Sequence, residues 1–130
     1  MVEGALVLTV FVFTLIGIVD VGKVLVLHQG LVERVRAGAR FAVVNTWNEY
    51  TIRNVVVYNR AAPSEGAKPL LNLSPDMVSV VRLNENTPEE RIVVSIDGYP
   101  FRFFTPFIAD TVRAKPIKIS MSTESMGATQ

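Results

Sequence analysis

The chain contains no cysteine, one histidine and one tryptophan in 130 residues, and only 19% of its residues are charged. Without cysteine there is no disulfide, no thiolate metal site and no cysteine nucleophile. A lone histidine, His28, without a cluster of further ligand residues does not make a zinc enzyme; on a helix among apolar neighbours it reads as solvated or interfacial. Net charge is +1, so no global field attracts nucleic acid or an acidic surface. No Lys or Arg precedes Lys23, so the N-terminus lacks the basic region of an ordinary cleavable signal peptide. A paired Ser, His and Asp, a glycine-rich phosphate loop and a basic–aromatic stripe are all missing. The reading is of a chain that is not an enzyme, needs no cofactor and has no nucleic-acid partner.

Apolar residues, by contrast, are abundant. Mean hydropathy is +0.33, and much of it lies near the N-terminus. From Val2 to Val19 the only charge is Glu3. At ~1.5 Å per residue this stretch spans roughly 27 Å, close to a hydrocarbon core of ~30 Å. Thr9 and Thr14 can bond back to carbonyls four residues earlier, so they do not forbid membrane burial. The chain beyond residue 45 is too small to surround a helix that is apolar on every side. The run is therefore expected to enter a bilayer or a bundle of copies.

Past Asp20 the helical pattern continues to about Val44 but becomes amphipathic. Val24, Leu27, Leu31, Val35, Gly38 and Ala42 form one stripe at helical spacing, expected to pack on the rest of the chain. Asp20 with Lys23, and Glu33 with Arg36, are spaced to pair. Gly17, Gly22, Gly30 and Gly38 each cost ~1 kcal/mol relative to Ala in a helix. They read either as points of close approach or unwinding, or as tolerated small residues.

From Thr51 the signal turns to β. Strands are expected over Thr51–Tyr58, Met77–Leu83, Arg91–Ile96 and Pro116–Ser122. Ile92, Val94 and Ile96 share one face, and Ile117, Ile119 and Met121 alternate with Lys118, Ser120 and Ser122. Residues 59–76 read as a long loop with a short extended piece at Leu70–Leu71. Asp97–Gly98 is a turn signal. Tyr99 to Ile108, with Phe101, Phe103, Phe104 and Phe107, reads as an aromatic lid or a broken strand. Trp47 and Tyr50 are expected to seal the junction of rod and sheet. The expected fold is α+β: a long N-terminal helix, hydrophobic then amphipathic, on a small antiparallel sheet of about four strands. The expected division is residues 1–45, a membrane or filament-core helix, and residues 46–130, a β-sheet domain.

Three segments carry a resemblance. They are Val2-Glu3-Gly4-Ala5-Leu6-Val7-Leu8, Gly17-Ile18-Val19-Asp20-Val21-Gly22-Lys23 and Arg36-Ala37-Gly38-Ala39-Arg40-Phe41-Ala42-Val43. Together they resemble the TadE-like, tight-adherence pseudopilin family, whose pattern has V-E-F-A-L-V-L-P, an apolar run and R-E-G-A-R-Y-A. Here Gly4 replaces the aromatic, Thr9 the proline and Ala37 the glutamate. Loss of the proline leaves the rod straighter.

The resemblance implies a pilin-like fold and a subunit that sits in the inner membrane before assembly. It further implies leader cleavage by a prepilin peptidase, and extraction by pilus machinery into a homo-oligomeric filament at the cell surface. The family glutamate, usually fifth in the mature chain, maps onto Glu3. Either two mature residues precede this numbering or cleavage falls just before Met1. A carboxylate in an apolar bundle needs a partner. The resemblance favours the Met1 ammonium, on the same or an adjacent subunit, which would set axial register. The alternative is that Glu3 stays at the membrane interface or faces the helix dipole. Asp20, Lys23, Arg36 and Arg40 read as rod-surface or inter-subunit contacts, and Arg40 as a possible bond to the sheet. Two other functions remain open: a minor initiating or tip pseudopilin, and a membrane-anchored extracytoplasmic binding module that does not polymerise. Asn72-Leu73-Ser74 is a glycosylation sequon, and the Ser/Thr tail is a candidate for O-linked sugar.

Overall fold

The structure, a computed structural model, describes residues 2–104 and 112–123. Helix α1 runs without interruption from Val2 to Val44. At ~1.5 Å per residue it is about 65 Å long, several times the length of an average helix. Thr9 and Thr14 both donate to the carbonyl four residues earlier, at 2.8 Å, as their positions predict. The two halves of α1 differ in burial. No residue of its most apolar window is buried, whereas Leu31, Val35, Gly38, Ala39 and Ala42 are. Val24 and Leu27, lower on the predicted stripe, pack partly against the same core.

The segment read as a first strand is a helix, α2, spanning Glu49–Tyr58. Its β-branched residues are placed by tertiary packing, which overrides their β propensity. Ile52, Val55 and Val56 stand at helical spacing and are buried. The Asn48 side chain caps the N-terminus by accepting from Thr51 N–H at 3.2 Å. Asn59 closes the other end in the left-handed region, φ 59°, its N–H bonding the Val55 carbonyl. Arg53 and Glu49 pair across one turn at 2.6 Å. Asn54, buried within α2, donates to the Ala61 carbonyl at 3.2 Å and ties down the following loop. The extended piece expected at Leu70–Leu71 is instead a 3-10 turn, Leu70–Asn72, with a second at Pro75–Met77.

Five strands follow: β1 (Val78–Leu83), β2 (Arg91–Ile96), β3 (Pro100–Phe101), β4 (Val112–Arg113) and β5 (Ile117–Ser122). They form a three-stranded antiparallel sheet in the order β1-β2-β5 and a separate antiparallel pair of β3 with β4. The fold is thus α+β as expected, with three main strands where about four were read. Val80, Val94 and Ile119 align across the sheet, as do Val78, Ile96 and Ile117. These rows face α1 and α2 and make one core with Leu31, Val35, Ala39, Ile52, Val56 and Leu73.

Gly38 lets α1 and α2 meet. A Cβ there would lie 2.3 Å from Val56 Cγ2, so the contact requires glycine. A Cβ on Gly30 would meet only the end of the Leu71 side chain, and Gly17 and Gly22 face open space. Trp47 is half-buried against the core, with the Arg82 guanidinium 5.4 Å from its ring centre. Arg82 also binds Glu90, and this hydrogen bond raises the Arg82 pKa above its ordinary value. Tyr50 does not seal the junction: it is 72% exposed.

Candidate assembly site

The bare half of α1 is the most conspicuous surface of the molecule. Leu6, Val7, Leu8, Val10, Phe11, Leu15, Ile18 and Val19 all stand exposed, on every side of the helix. Monomeric soluble proteins rarely expose a continuous apolar surface of this extent. Its tip carries Glu3, exposed in the first turn. Met1, its expected partner, lies outside the described residues.

Asp20 is the first buried residue along α1, although exposed apolar side chains continue past it at Val21, Leu25 and Val26. The sequence reading made Asp20 a rod-surface or inter-subunit contact; the structure buries it within its own chain, at 3% exposure. Its two carboxylate oxygens accept the Phe104 N–H at 2.9 and 3.1 Å. A charged acceptor makes this a strong hydrogen bond, and burial raises the cost of losing it. The bond joins positions 84 residues apart in sequence and straps the segment after β3 onto α1. Lys23, one turn further up, is half-buried, with its Nζ 3.7 Å from the Phe104 ring centre. Asp20 and Lys23 therefore meet on one residue, Phe104, which is itself 67% exposed.

The strap is held from above by Tyr99 and Phe101, both buried, with ring centres 5.4 Å apart edge to face. Tyr99 Oη donates to the Leu71 carbonyl at 2.6 Å. Burial pushes the Tyr99 hydroxyl above its ordinary pKa. The aromatic segment thus divides: Tyr99 and Phe101 are core, and Phe104 is surface. Phe107 and Ile108 lie outside the described residues.

Arg36 and Arg40 sit on the exposed side of the upper rod, opposite the buried stripe. Arg40 makes no hydrogen bond or ion pair to the sheet among the described residues. Glu33 and Arg36, though spaced to pair, form no ion pair there either. His28 is exposed, in keeping with a solvated side chain. The residues singled out from sequence therefore lie at three heights: Glu3 at the tip, Asp20 and Lys23 about 25 Å higher, and the two arginines above them. Sequence reading missed the part Phe104 plays. Its signal was an Asp one turn before a Lys at the end of an apolar run, which fixes a boundary but not the partner across it.

Comparison with known families agrees with the resemblance. The model of a family described as TadE-like protein matches residues 1–40, which take in the bare half of α1, Asp20, Lys23 and the Arg36-to-Arg40 element. Over that stretch the chain is similar to pilus-associated, pseudopilin-like proteins with an apolar N-terminal anchor. No curated protein and no solved structure matches the chain.

Proposed function

We propose that the chain is a structural, pilin-like subunit. Residues 2–19 hold it in the cytoplasmic membrane and then pack against copies of themselves in the core of a surface filament. The domain of residues 46–130 rides outside on the upper half of α1. The observation that carries this reading is the apolar half-helix, none of whose described residues before Asp20 is buried, yet which is continuous with a well-packed half. A surface of this kind needs lipid or other rods around it. At ~25 cal/mol per Å², covering even ~1,000 Å² of apolar surface contributes about 25 kcal/mol before entropic losses. That drive favours transfer from bilayer to bundle only if rods pack closely, and the small residues Gly4, Gly17 and Gly22 suit close packing.

Processing by a prepilin peptidase and extraction by pilus machinery belong to the same reading and are supported by the family match. Glu3 is the register residue: in a staggered bundle its carboxylate pairs with an N-terminal ammonium of the same or a neighbouring rod. Arg36 and Arg40, exposed on the upper rod, face neighbouring subunits.

The test is Glu3→Ala in cells, read by electron microscopy of sheared surface material and by membrane fractionation. The expected result is normal membrane insertion with filaments lost or irregular. Unchanged surface display and function, with no filaments in the parent either, would instead fit a membrane-anchored binding module.

A further inference from the structure

We propose that the junction at Asp20 holds one anionic phospholipid, its phosphate between Lys23 and Arg102 and an acyl chain under Phe104. The inference rests on α1 entering a bilayer, which is one part of the function proposed above, and does not depend on polymerisation.

Two hollows adjoin at this level. The upper is a cleft lined by Lys23, Leu27, Asn72, Tyr99, Pro100 and Arg102. It presents two cations, an amide and a phenol. Among the described residues neither Lys23 nor Arg102 is in an ion pair. The Asp20 carboxylate, one turn before Lys23, is buried and accepts the Phe104 N–H. The lower hollow is a largely apolar groove lined by Leu15, Ile16, Val19 and Phe104. Phe104 lines the lower one, and its ring centre lies 3.7 Å from the Nζ of Lys23, which lines the upper.

Depth decides the occupant. If residues 2–19 span the hydrocarbon, Lys23 stands about 6 Å beyond its edge. The polar layer on each side of a bilayer is roughly 5–8 Å thick. Lys23 and Phe104 then lie at headgroup level, where lysine and aromatic side chains are favoured. The groove below lies at the depth of the first acyl carbons. A cationic cleft directly above an apolar groove is complementary to a phosphate joined to a chain. Two cations that are in no ion pair among the described residues favour a lipid of net negative charge over a zwitterionic one.

The full chain, in detergent, is titrated with phosphatidylglycerol, with phosphatidylcholine of the same chains, and with inorganic phosphate. Retained lipid is counted by native mass spectrometry. One phosphatidylglycerol per chain is expected, held at least fivefold more tightly than phosphatidylcholine. Lys23→Gln with Arg102→Gln should weaken it by about 25-fold, at roughly fivefold per cation. The same double change at the exposed Arg91 and Lys118 should leave it within twofold. Melting followed by circular dichroism confirms that each variant is folded. Vesicle flotation tests membrane entry separately, and all variants should float.

Equal retention of the two lipids, or a Lys23/Arg102 variant that binds as the parent does, would overturn the site. Displacement of the lipid by millimolar phosphate would assign the cleft to the free anion instead. A chain that does not float would defeat the membrane reading itself, whatever the lipid count.

Discussion

At the scale of single residues, the structure separates glycines that the sequence left equivalent. Gly38 lies where a methyl group has no room, 2.3 Å from a branched and stiff side chain, Val56, whereas at Gly30 the 2.9 Å neighbour is the flexible end of Leu71. Gly38→Ala gains up to ~1 kcal/mol of helix propensity, but overpacking costs ~1–3 kcal/mol. The expected net effect is destabilisation, with the thermal midpoint lowered. Gly22→Ala, facing open space, should match or exceed the parent in the same circular-dichroism melt in detergent. Tyr99 gives the second residue-scale test. Its hydroxyl pKa is raised in the folded state above the ordinary 10.0. The folded chain thus holds this proton more tightly than the unfolded one. The associated stability is complete below pH ~10 and is lost as pH rises through the folded value. Tyr99→Phe should cost about 1 kcal/mol at neutral pH, because the Leu71 carbonyl loses its donor. It should also flatten the alkaline fall in melting temperature between pH 9 and 11.

At the scale of elements, β1, β2, β5 and the upper half of α1 were legible because each has a period and a face to bury, and the lower half of α1 because its apolar run is unbroken. Arg91–Ile96 was read with its bounds correct, and its inward residues Ile92, Val94 and Ile96 are all buried. α2 was not legible by propensity, since Thr51-Ile52-Arg53-Asn54-Val55-Val56-Val57-Tyr58 is the composition of a strand. The contrary signals were local and weaker: an Asn before Glu49, a Glu–Arg pair one turn apart and an Asn after Tyr58. Packing of Ile52 and Val56 on α1 decided between them. If the cap matters as this implies, Asn48→Ala should cost about 1 kcal/mol and lower the melting midpoint by roughly 5 °C. An unchanged midpoint would mean that packing alone holds α2. The strap at Phe104 was illegible for another reason. A hydrogen bond from a backbone N–H to a carboxylate 84 residues away leaves no trace in the sequence of either partner. Asp20, which looked like a surface charge, is buried for the same reason.

At the scale of the whole molecule, the chain divides by solvent rather than by fold. Above Asp20 one face of the helix joins an ordinary core, fully buried from Leu31 onward, while Val21, Leu25 and Val26 stay exposed. Below Asp20, no described residue of the same helix is buried. The family match covers the bare half and the spine that continues it, and stops at residue 40. That distribution suits a subunit whose common property is its rod and whose individual property is the sheet mounted on it. The central claim is that residues 2–19 are buried against other rods. Because the chain has no cysteine, a single Val12→Cys change provides a clean probe. Mild oxidation of purified surface material should give covalent dimers through position 12, while Lys118→Cys, on the outer face of the sheet, should give few. Filaments that form normally but show no dimers at position 12, with that thiol open to a water-soluble maleimide, would contradict the account.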